Sequence, residues 1–511
     1  MDLALDRQGA LYEQIARALK RAILEGRLVA GSRLPSTRAL AGALGVSRKS
    51  VVDAYELLCV EQLAIARGGS GTRVAKVDGA SLVPQPSVGL RPTSQYVARM
   101  RTLEPVPAGI HSDLRYNLHT GEPLLNTALF NSWRRKLAAA ALRAGPKYPA
   151  PEGFPPLRRA LADYLARRRG IFCDAADILI VGGTQQALTL TARVLVDDRD
   201  AVVIEDPHYQ MAFQGLVAHG ARLVTVRTDD EGLVVRELPE GPVRMAYVTP
   251  SHQFPSGTTL SLARRMELLR WASRTGWWIF EDDYDAEFHS GTRAVASLKS
   301  LDIADRVIYV GTFSKTLFPS LRIGYIVCPK ALRQDLFKAK RLDDLGSPTI
   351  EQAALANYIE SRLYEKHLRI SVKELISRRS TAVDTLQRLT GPYIEIGPHT
   401  GGMHFVIWLR DVGFDRLTPF MEHAASVGLA LHPVHPYYRT RPARPGLLIG
   451  YAALSCRELT CAIELFAQCL KAMECPVSAV SKNSEKVAVD GARQRDYAGC
   501  GLGAAGLLGD A

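Results

Sequence analysis

Apolar runs alternate with amphipathic stretches over a long part of this chain, between about Tyr116 and Met473. Short runs such as ILIVGG, AVVIED and GWWIFEDD are typical of buried strands, and stretches such as SLARRMELLRWASRTG are typical of helices. Strands that are joined through helices run parallel, because each crossover returns the chain to the same end of the sheet. The alternation predicts a large α/β domain with a mostly parallel sheet over residues 114–475.

The rest of the chain divides into three further segments. Residues 1–75 have their own helical pattern, and a chain of 511 residues has room for a second, small α+β domain. Residues 76–113 are rich in Pro, Gly and Ser, which predicts a flexible linker. Residues 476–511 have few large apolar side chains, which predicts a disordered tail. The predicted fold class is therefore multidomain.

Composition limits the partners and the compartment. The net charge of +12 fits a partner with negative charge. No apolar run reaches the roughly 18 residues that span a bilayer, and the N-terminus lacks the pattern of a signal peptide. The eight cysteines are scattered, without a C-x-x-C pair. We expect a cytoplasmic protein with reduced thiols, no membrane partner and no metal.

The first 75 residues have the pattern of a helix-turn-helix. In LYEQIARALKRAIL, apolar residues recur every fourth position, which predicts a packing helix. In LPSTRALAGALGVSRKSVVDAYELL, Gly45 turns the chain after a short helix and Ser47 is a plausible cap of the next one. The first turn of that second helix enters the major groove in such motifs. The candidate DNA contacts there are Arg48, Lys49 and Ser50.

A glycine-rich tip follows in IARGGSGTRV, between two strand-like ends, and predicts a wing. Together the two motifs resemble the GntR family of winged helix-turn-helix regulators. The resemblance implies double-stranded operator DNA as a partner, with further contacts from Arg38 and from the wing at Gly69. Ala66 and Arg67 before the wing depart from the family pattern.

A second motif, S-K-x-x-x-P-x-x-R-I-G-Y, centres on Lys315 in VIYVGTFSKTLFPSLRIGYIV. A lysine just past a buried strand can hold a carbonyl cofactor as a Schiff base. The nearby Thr312, Ser314 and Arg322 can bind a phosphate, the arginine through a charge-assisted fork. Pyridoxal 5'-phosphate is the cofactor that needs this combination.

Other segments supply the remaining contacts of such a cofactor. In WWIFEDDYDAEF, Asp282 can face the pyridinium nitrogen and Tyr284 can donate to the phenolic oxygen. A divalent-metal site is the alternative for this acidic cluster, but no second cluster at ligand spacing supports it. The backbone amides of Thr184 and Gln185 open a helix after a glycine turn and can hold an anion. Tyr209 can stack on the ring, with packing as the alternative.

Together with YVTPSHQFPSG, these segments resemble fold-type I pyridoxal phosphate enzymes of the aspartate aminotransferase superfamily. Behind a GntR-type head, the whole chain resembles the MocR/GabR subfamily of regulators. The resemblance implies Lys315 as the Schiff-base lysine and a small amine or amino acid as effector. It also implies a head-to-tail homodimer in which each head rests on the partner's body. Tyr148 and Gly153 match the superfamily's substrate-side segment.

Two positions depart from the aminotransferase pattern. Phe254 stands where aminotransferases place an asparagine that touches the cofactor, so His252 or Gln253 is a candidate substitute. Leu448 stands about where they keep an arginine for the substrate carboxylate. The candidates to replace that arginine are Arg439, Arg441 and Arg444.

The resulting hypothesis is a regulator in which an effector amine displaces Lys315, forms an external aldimine and alters operator binding. Two alternatives stay open. One is a working aminotransferase with an accessory DNA-binding head, and the other is a regulator that senses pyridoxal phosphate itself. We expect a regulator before an enzyme, because both departures affect groups used in transamination.

Overall fold

The computed structural model describes residues 3–67, 71–75, 93–104, 114–124, 127–143, 145, 147–289, 296–399 and 401–474. The wing tip at Gly69, most of the predicted linker and the predicted tail lie outside these residues. Contacts divide the chain into two compact units, Met1–Ser94 and Gln95–Ala511. In the part of the chain that is described, no helix is long and apolar enough to cross a bilayer.

The first unit, the head, packs three helices against a two-stranded hairpin. Its elements are α1 (Leu11–Leu24), α2 (Thr37–Leu44), α3 (Arg48–Val60), β1 (Ala64–Arg67) and β2 (Gly71–Val74). The strands are antiparallel, with Ala64 opposite Val74. One small core joins the apolar faces of all three helices, and it includes Ile15, Leu19, Leu40, Val51 and Leu58.

Local hydrogen bonds determine where α2 and α3 begin and end. Ser36 caps α2 by accepting from a backbone N–H, and Gly45 ends it with a φ of 65°, which favours glycine. Ser47 caps α3, since its Oγ accepts the N–H of Ser50 at 3.1 Å. These observations confirm the predicted helix-turn-helix.

The second unit, the body, contains most of the helices and strands. Its helices are α4 (Gln95–Met100), α5 (Thr127–Ala141), α6 (Pro155–Arg169), α7 (Thr184–Leu195), α8 (Gln210–His219), α9 (Leu262–Thr275), α10 (Leu298–Leu301), α11 (Arg333–Asp344), α12 (Thr349–Glu360), α13 (Leu363–Thr390), α14 (Phe414–Ser426) and α15 (Cys456–Glu474). Its strands are β3 (Tyr116–Asn117), β4 (Ile178–Val181), β5 (Ala201–Asp206), β6 (Arg222–Asp229), β7 (Gly232–Leu233), β8 (Met245–Val248), β9 (Trp278–Asp283), β10 (Val307–Thr312), β11 (Gly324–Val327), β12 (Ile394–Ile396), β13 (His404–Leu409), β14 (Leu429–Ala430), β15 (His432–Pro433) and β16 (Gly446–Gly450).

The central sheet has eight strands in the order β4-β11-β10-β9-β8-β5-β6-β7. The five strands from β10 to β6 pair in parallel, whereas β11 and β7 run antiparallel to their neighbours. The four residues of β4 and of β8 are fully buried, as expected for strands covered on both faces. The predicted α/β body with a mostly parallel sheet is therefore confirmed.

A second, antiparallel sheet follows in the order β12-β13-β16-β15. The sequence pattern did not separate this sheet from the parallel one. The short strand β3 pairs with β14, so the segment that begins at Tyr116 lies beside this later part of the chain. This pairing places residues from early and late in the body's sequence on one side of the candidate cofactor-binding residues.

The predicted linker contains the helix α4, which packs on α8. Arg99 forms an ion pair with Asp198, and the ring of Tyr96 lies edge-on to His219 at 5.5 Å. The Pro, Gly and Ser content of residues 76–113 gave no indication of this helix, since its partners are distant in the sequence.

Candidate functional site

The candidate site residues come together at the carboxyl ends of the central strands. Asp282 lies near the end of β9 and Thr312 ends β10. Thr312 is opposite Gly324 of β11, and Gly324 is opposite Val181 at the end of β4. The start of α7, which follows β4, therefore lies beside the loop that carries Lys315. Ligands of open α/β sheets bind at this edge.

The carboxylate of Asp282 is buried and holds two hydrogen bonds. The Tyr247 hydroxyl donates to one oxygen at 2.6 Å, and Thr184 Oγ1 donates to the other at 3.3 Å. Burial raises the pKa of Asp282 to about 7, and the nearby charges of Asp283 and Asp285 act in the same direction. A positively charged partner such as a pyridinium nitrogen would stabilise the ionised form.

Tyr247 was not among the predicted site residues. It lies in the buried strand segment RMAYVTP, and its hydroxyl needs a hydrogen-bond partner there. That need was the available signal, although the sequence did not show which residue was the partner.

The metal-site alternative for the acidic cluster concerns the same part of the sheet. Within the described residues, no group of three or more His, Cys, Asp or Glu side chains has a metal-binding arrangement.

Lys315 is half-buried, and its Nζ donates to the backbone oxygen of Gly121 at 3.2 Å. Burial lowers the pKa of Lys315, while the charges of Asp285 and Asp282 partly oppose this shift. A lowered pKa increases the fraction of neutral amine, the form that attacks a carbonyl carbon. Both observations fit the predicted Schiff-base lysine.

The phosphate candidates form a cradle around the start of α7. Gly183 precedes this helix with a φ of 109°, and a Cβ there would lie 3.3 Å from a guanidinium nitrogen of Arg322. Thr312 Oγ1 accepts the N–H of Ser314 at 3.2 Å. A helix N-terminus, a guanidinium and two hydroxyls form an anion site, so these residues fit a phosphate. Gln185 turns its side chain toward α8, 3.5 Å from the oxygen of Met211.

The two tyrosines predicted to contact the ring lie on either side of Phe254. Tyr209 precedes α8, and its ring meets Phe254 edge-on at 5.6 Å. The Tyr284 hydroxyl lies 3.1 Å from Nδ1 of His252, which also contacts Asp285 at 2.8 Å. Phe254 thus fills the position of the expected asparagine with an aromatic contact.

The two candidate substitutes for that asparagine differ in their surroundings. Gln253 is buried and donates to the oxygen of Pro207 at 2.7 Å, so its amide serves the local backbone. His252 contacts Tyr284 directly. Of the two, His252 touches a predicted cofactor residue.

Two of the three candidate arginines near Leu448 have side chains that are engaged elsewhere. Arg441 lies over the ring of Phe414 at 3.6 Å, and Arg444 pairs with Glu395. Arg439 is exposed, and its backbone N–H donates to Asp206. Leu448 itself is fully buried in β16, opposite Val406 and His432.

The DNA-reading candidates lie on the surface of the head. Arg48 and Lys49 are exposed at the first turn of α3, and Arg38 is exposed on α2. Ser50 is half-buried, and its hydroxyl lies 2.8 Å from that of Ser47. The guanidinium of Arg48 is also near α2, with Nε 3.4 Å from Thr37 Oγ1. Three basic side chains therefore remain available to DNA.

The body has the fold of the fold-type I pyridoxal phosphate enzymes, and the head is a GntR-type helix-turn-helix. Residues 115–426 match the aminotransferase class I and II family, and residues 11–74 match the gntR family of bacterial regulatory proteins.

Curated relatives and solved structures agree with these matches. The chain is 34% identical over 458 residues to the probable rhizopine catabolism regulatory protein MocR of Rhizobium meliloti, covering 88% of this chain and 92% of that protein. It is 30% identical over 442 residues to the pyridoxine biosynthesis transcriptional regulator PdxR of Corynebacterium glutamicum, covering 86% and 91%. The body resembles the crystal structure of a kynurenine aminotransferase of Pyrococcus horikoshii, with a TM-score of 0.65 and 27% identity over 74% of this chain and 94% of that one. This chain belongs to the MocR family of transcription regulators, which join a GntR-type head to an aminotransferase-like body.

Proposed function

We propose that this protein binds pyridoxal 5'-phosphate in its body and changes its affinity for operator DNA when a small amine binds there. The observation that carries the proposal is the grouping of Asp282, Lys315 and Arg322 at one edge of the sheet, in a chain whose head exposes Arg48 and Lys49. The first group fits the cofactor, and the second fits DNA.

Each part of the cofactor has residues to hold it. Asp282 would face the ring nitrogen, Tyr284 the phenolic oxygen and Tyr209 one face of the ring. The phosphate would be held by the amides of Thr184 and Gln185 and by Thr312, Ser314 and Arg322. When bound, pyridoxal phosphate supplies an electrophilic carbon that Lys315 or the amine of an effector can engage.

Residues around Lys315 favour its replacement by an effector amine. Burial lowers the pKa of Lys315, and the Gly121 oxygen accepts a hydrogen bond from its Nζ. The proposed signal is the replacement of Lys315 by an effector amine, which frees the lysine to take new contacts. An effector acts only if it favours one conformation of the body over another.

Helix α8 is the proposed route from this site to the linker. It begins after Tyr209 and ends at His219, against which Tyr96 packs. Arg99 donates to the oxygen of Ala218 at 3.3 Å, and Gln214 donates to the oxygen of Glu104 at 2.7 Å. A small shift of α8 would therefore move the segment that leads to the head.

We also propose the head-to-tail homodimer that the family resemblance implies. Tyr148 is 91% exposed and lines one surface groove together with Leu345, another exposed apolar residue. Exposed apolar surface of this kind is typical of an interface. Gly153 cannot accept a side chain, because a Cβ would lie 2.2 Å from Ile180, and it fixes the course of the segment after Tyr148. Sedimentation of the full chain tests this proposal, and a monomer at micromolar concentration would refute it.

The test of the cofactor proposal uses the visible absorbance of the purified full chain with pyridoxal phosphate. Lys315→Ala should abolish the absorbance of the lysine-linked cofactor. Lys373→Ala is the matched control, because this exposed lysine on α13 lies outside both the site and the groove at Tyr148. Retained absorbance in the Lys315 variant, confirmed by borohydride reduction and peptide mapping, would refute the assignment.

The DNA half of the proposal needs a separate measurement. Binding sites selected from a random DNA pool can be titrated by fluorescence anisotropy with the holo protein, with and without candidate amines. A change in affinity that requires both cofactor and amine supports an amine sensor. No sequence preference in the selected pool would refute the regulatory role.

One alternative has a specific observation in its favour. The similarity to a pyridoxine biosynthesis regulator fits a protein that senses the cofactor itself. In that case apo and holo forms would differ in operator affinity without any amine, which the same titration measures.

A further inference from the structure

The segment from Tyr116 to Gly121 forms one wall of the cleft beside Lys315. It is fixed by the pairing of β3 with β14 and by the N–H of Gly450, which donates to the oxygen of Leu118 at 2.8 Å. The contact is so close that a Cβ on Gly450 would lie 2.2 Å from a backbone oxygen of this segment. The wall is therefore rigidly placed with respect to the lysine.

Two histidines stand together on this wall. The rings of His119 and His432 are nearly perpendicular, with centroids 4.6 Å apart. Asn117 Oδ1 accepts from Nε2 of His432 at 2.7 Å and from the backbone N–H of His119 at 3.0 Å. One asparagine thus holds both residues in place.

His119 has an unused hydrogen-bonding atom close to Lys315. Its Nδ1 is buried, and among the described residues it has no hydrogen-bond partner. A Cβ on Gly121 would lie 3.7 Å from this atom and 3.5 Å from Nζ of Lys315, so both groups border the same small space. A buried polar atom without a partner is costly unless a ligand satisfies it.

The wall is neutral where an aminotransferase would place a cation. His432 is directly opposite Leu448, and opposed residues of an antiparallel pair point to the same face of the sheet. Burial lowers the pKa of His119 to about 4 and that of His432 to about 3, so both imidazoles are uncharged near neutral pH. Of the two cations assigned to the cleft, Lys315 is assigned to the cofactor carbonyl and Arg322 to the phosphate.

We infer that His119 and His432 are effector-contact residues that select an amine bearing an uncharged oxygen, such as a hydroxyl, over an amino acid bearing a carboxylate. This inference rests on the proposed function. A neutral imidazole nitrogen accepts a hydrogen bond from a hydroxyl. A carboxylate in the same place would lose water without gaining a contact to any of the arginines assigned above.

The experiment compares alaninol with alanine, which share an amine and a carbon skeleton and differ in hydroxyl against carboxylate. Each is titrated into the full-length protein that has been reconstituted with pyridoxal phosphate. The readouts are the change in cofactor absorbance and the heat of binding by calorimetry. We expect alaninol to bind about tenfold or more tightly than alanine.

Variants test the histidine directly. His119→Phe keeps a ring against His432 but removes Nδ1, and it should reduce the preference for alaninol to near unity. The variant should still take up the cofactor without amine, which shows that it folds. His423→Phe, at an exposed histidine of α14, is the matched control and should keep the preference.

The outcomes separate this inference from the proposed function. A wild-type protein that takes up the cofactor but binds alanine as tightly as alaninol, or responds to neither, overturns the inference and leaves cofactor binding intact. An unchanged preference in His119→Phe overturns the role of His119. A protein that takes up no cofactor refutes the proposed function instead.

Discussion

Asp282→Asn should stabilise the cofactor-free body and at the same time weaken cofactor binding. The asparagine oxygen can accept from Tyr247 and its amide can donate to the Thr184 hydroxyl, so both hydrogen bonds of the wild type have counterparts. The substitution therefore removes mainly a buried charge. The resulting gain in the free energy of unfolding depends on pH, and the pKa of Asp282 determines the direction of that dependence.

The direction follows from the pKa of Asp282, which burial raises to about 7 from its ordinary value of 3.8. Between these values the folded state binds more protons than the unfolded state, so the free energy of unfolding falls as pH rises. At about 1.4 kcal/mol per pKa unit, the raised pKa lowers the free energy of unfolding by about 2 kcal/mol near pH 5 and about 4 kcal/mol near pH 8. The asparagine variant should recover these amounts.

Urea unfolding of the cofactor-free protein at the two pH values measures the gain. Tryptophan fluorescence reports on the body alone, because all five tryptophans belong to it, namely Trp133, Trp271, Trp277, Trp278 and Trp408. Asp197→Asn, at a carboxylate that is 92% exposed, is the control and should change little. An Asp282 variant that is less stable than the wild type near pH 8, or whose gain is equal at both pH values, would refute the reasoning.

The same variant should bind the cofactor less tightly. A charge-assisted contact to the ring nitrogen is worth about 1.5 to 3 kcal/mol, which corresponds to roughly a 10- to 100-fold weaker Kd. Titration of the apo protein with pyridoxal phosphate, followed by absorbance, measures this loss. Unchanged affinity would mean that Asp282 does not contact the ring nitrogen.

Three further predictions concern the cradle, the head and the linker. Gly324→Ala should destabilise the body by about 1 to 3 kcal/mol and weaken cofactor uptake, because its Cβ would lie 2.9 Å from the Cα of Gly183; wild-type stability in urea would contradict this. Arg48→Ala should lose roughly 1 to 3 kcal/mol of binding to selected DNA in an anisotropy titration. An equal loss on random DNA would make this arginine a phosphate contact. Arg99→Ala removes the ion pair with Asp198 and should increase proteolysis of residues 95–104 while the Kd for cofactor stays unchanged; an unchanged cleavage rate would show that the pair does not hold the segment.

Features that depend on neighbouring residues were predictable from the sequence. The cap at Ser47 and the turn at Gly45 follow from side-chain chemistry within a few residues. The strand that precedes Lys315 follows from an apolar run, and its motif places a lysine, a proline and an arginine at short spacing. The departure at Leu448 was also visible in the sequence.

Features that depend on distant residues were not predictable. The Tyr247 hydroxyl could have met any of several buried acceptors, and its contact with Asp282 exists because β8 and β9 are neighbours in the sheet. The docking of α4 depends on Asp198 and His219, which are remote from it in the sequence. Composition alone therefore described the linker incompletely.

The element types, the caps and the motif that carries Lys315 follow from the sequence, because they depend on backbone preferences and periodicity over a few residues. The surroundings of that lysine depend instead on tertiary contacts. His119 and Gly121 reach it from a segment about 194 positions away, through the pairing of β3 with β14. Side-chain periodicity shows which face of a strand is buried, but it carries no information about which distant segment covers that face. The polarity of the cleft arises from that long-range packing.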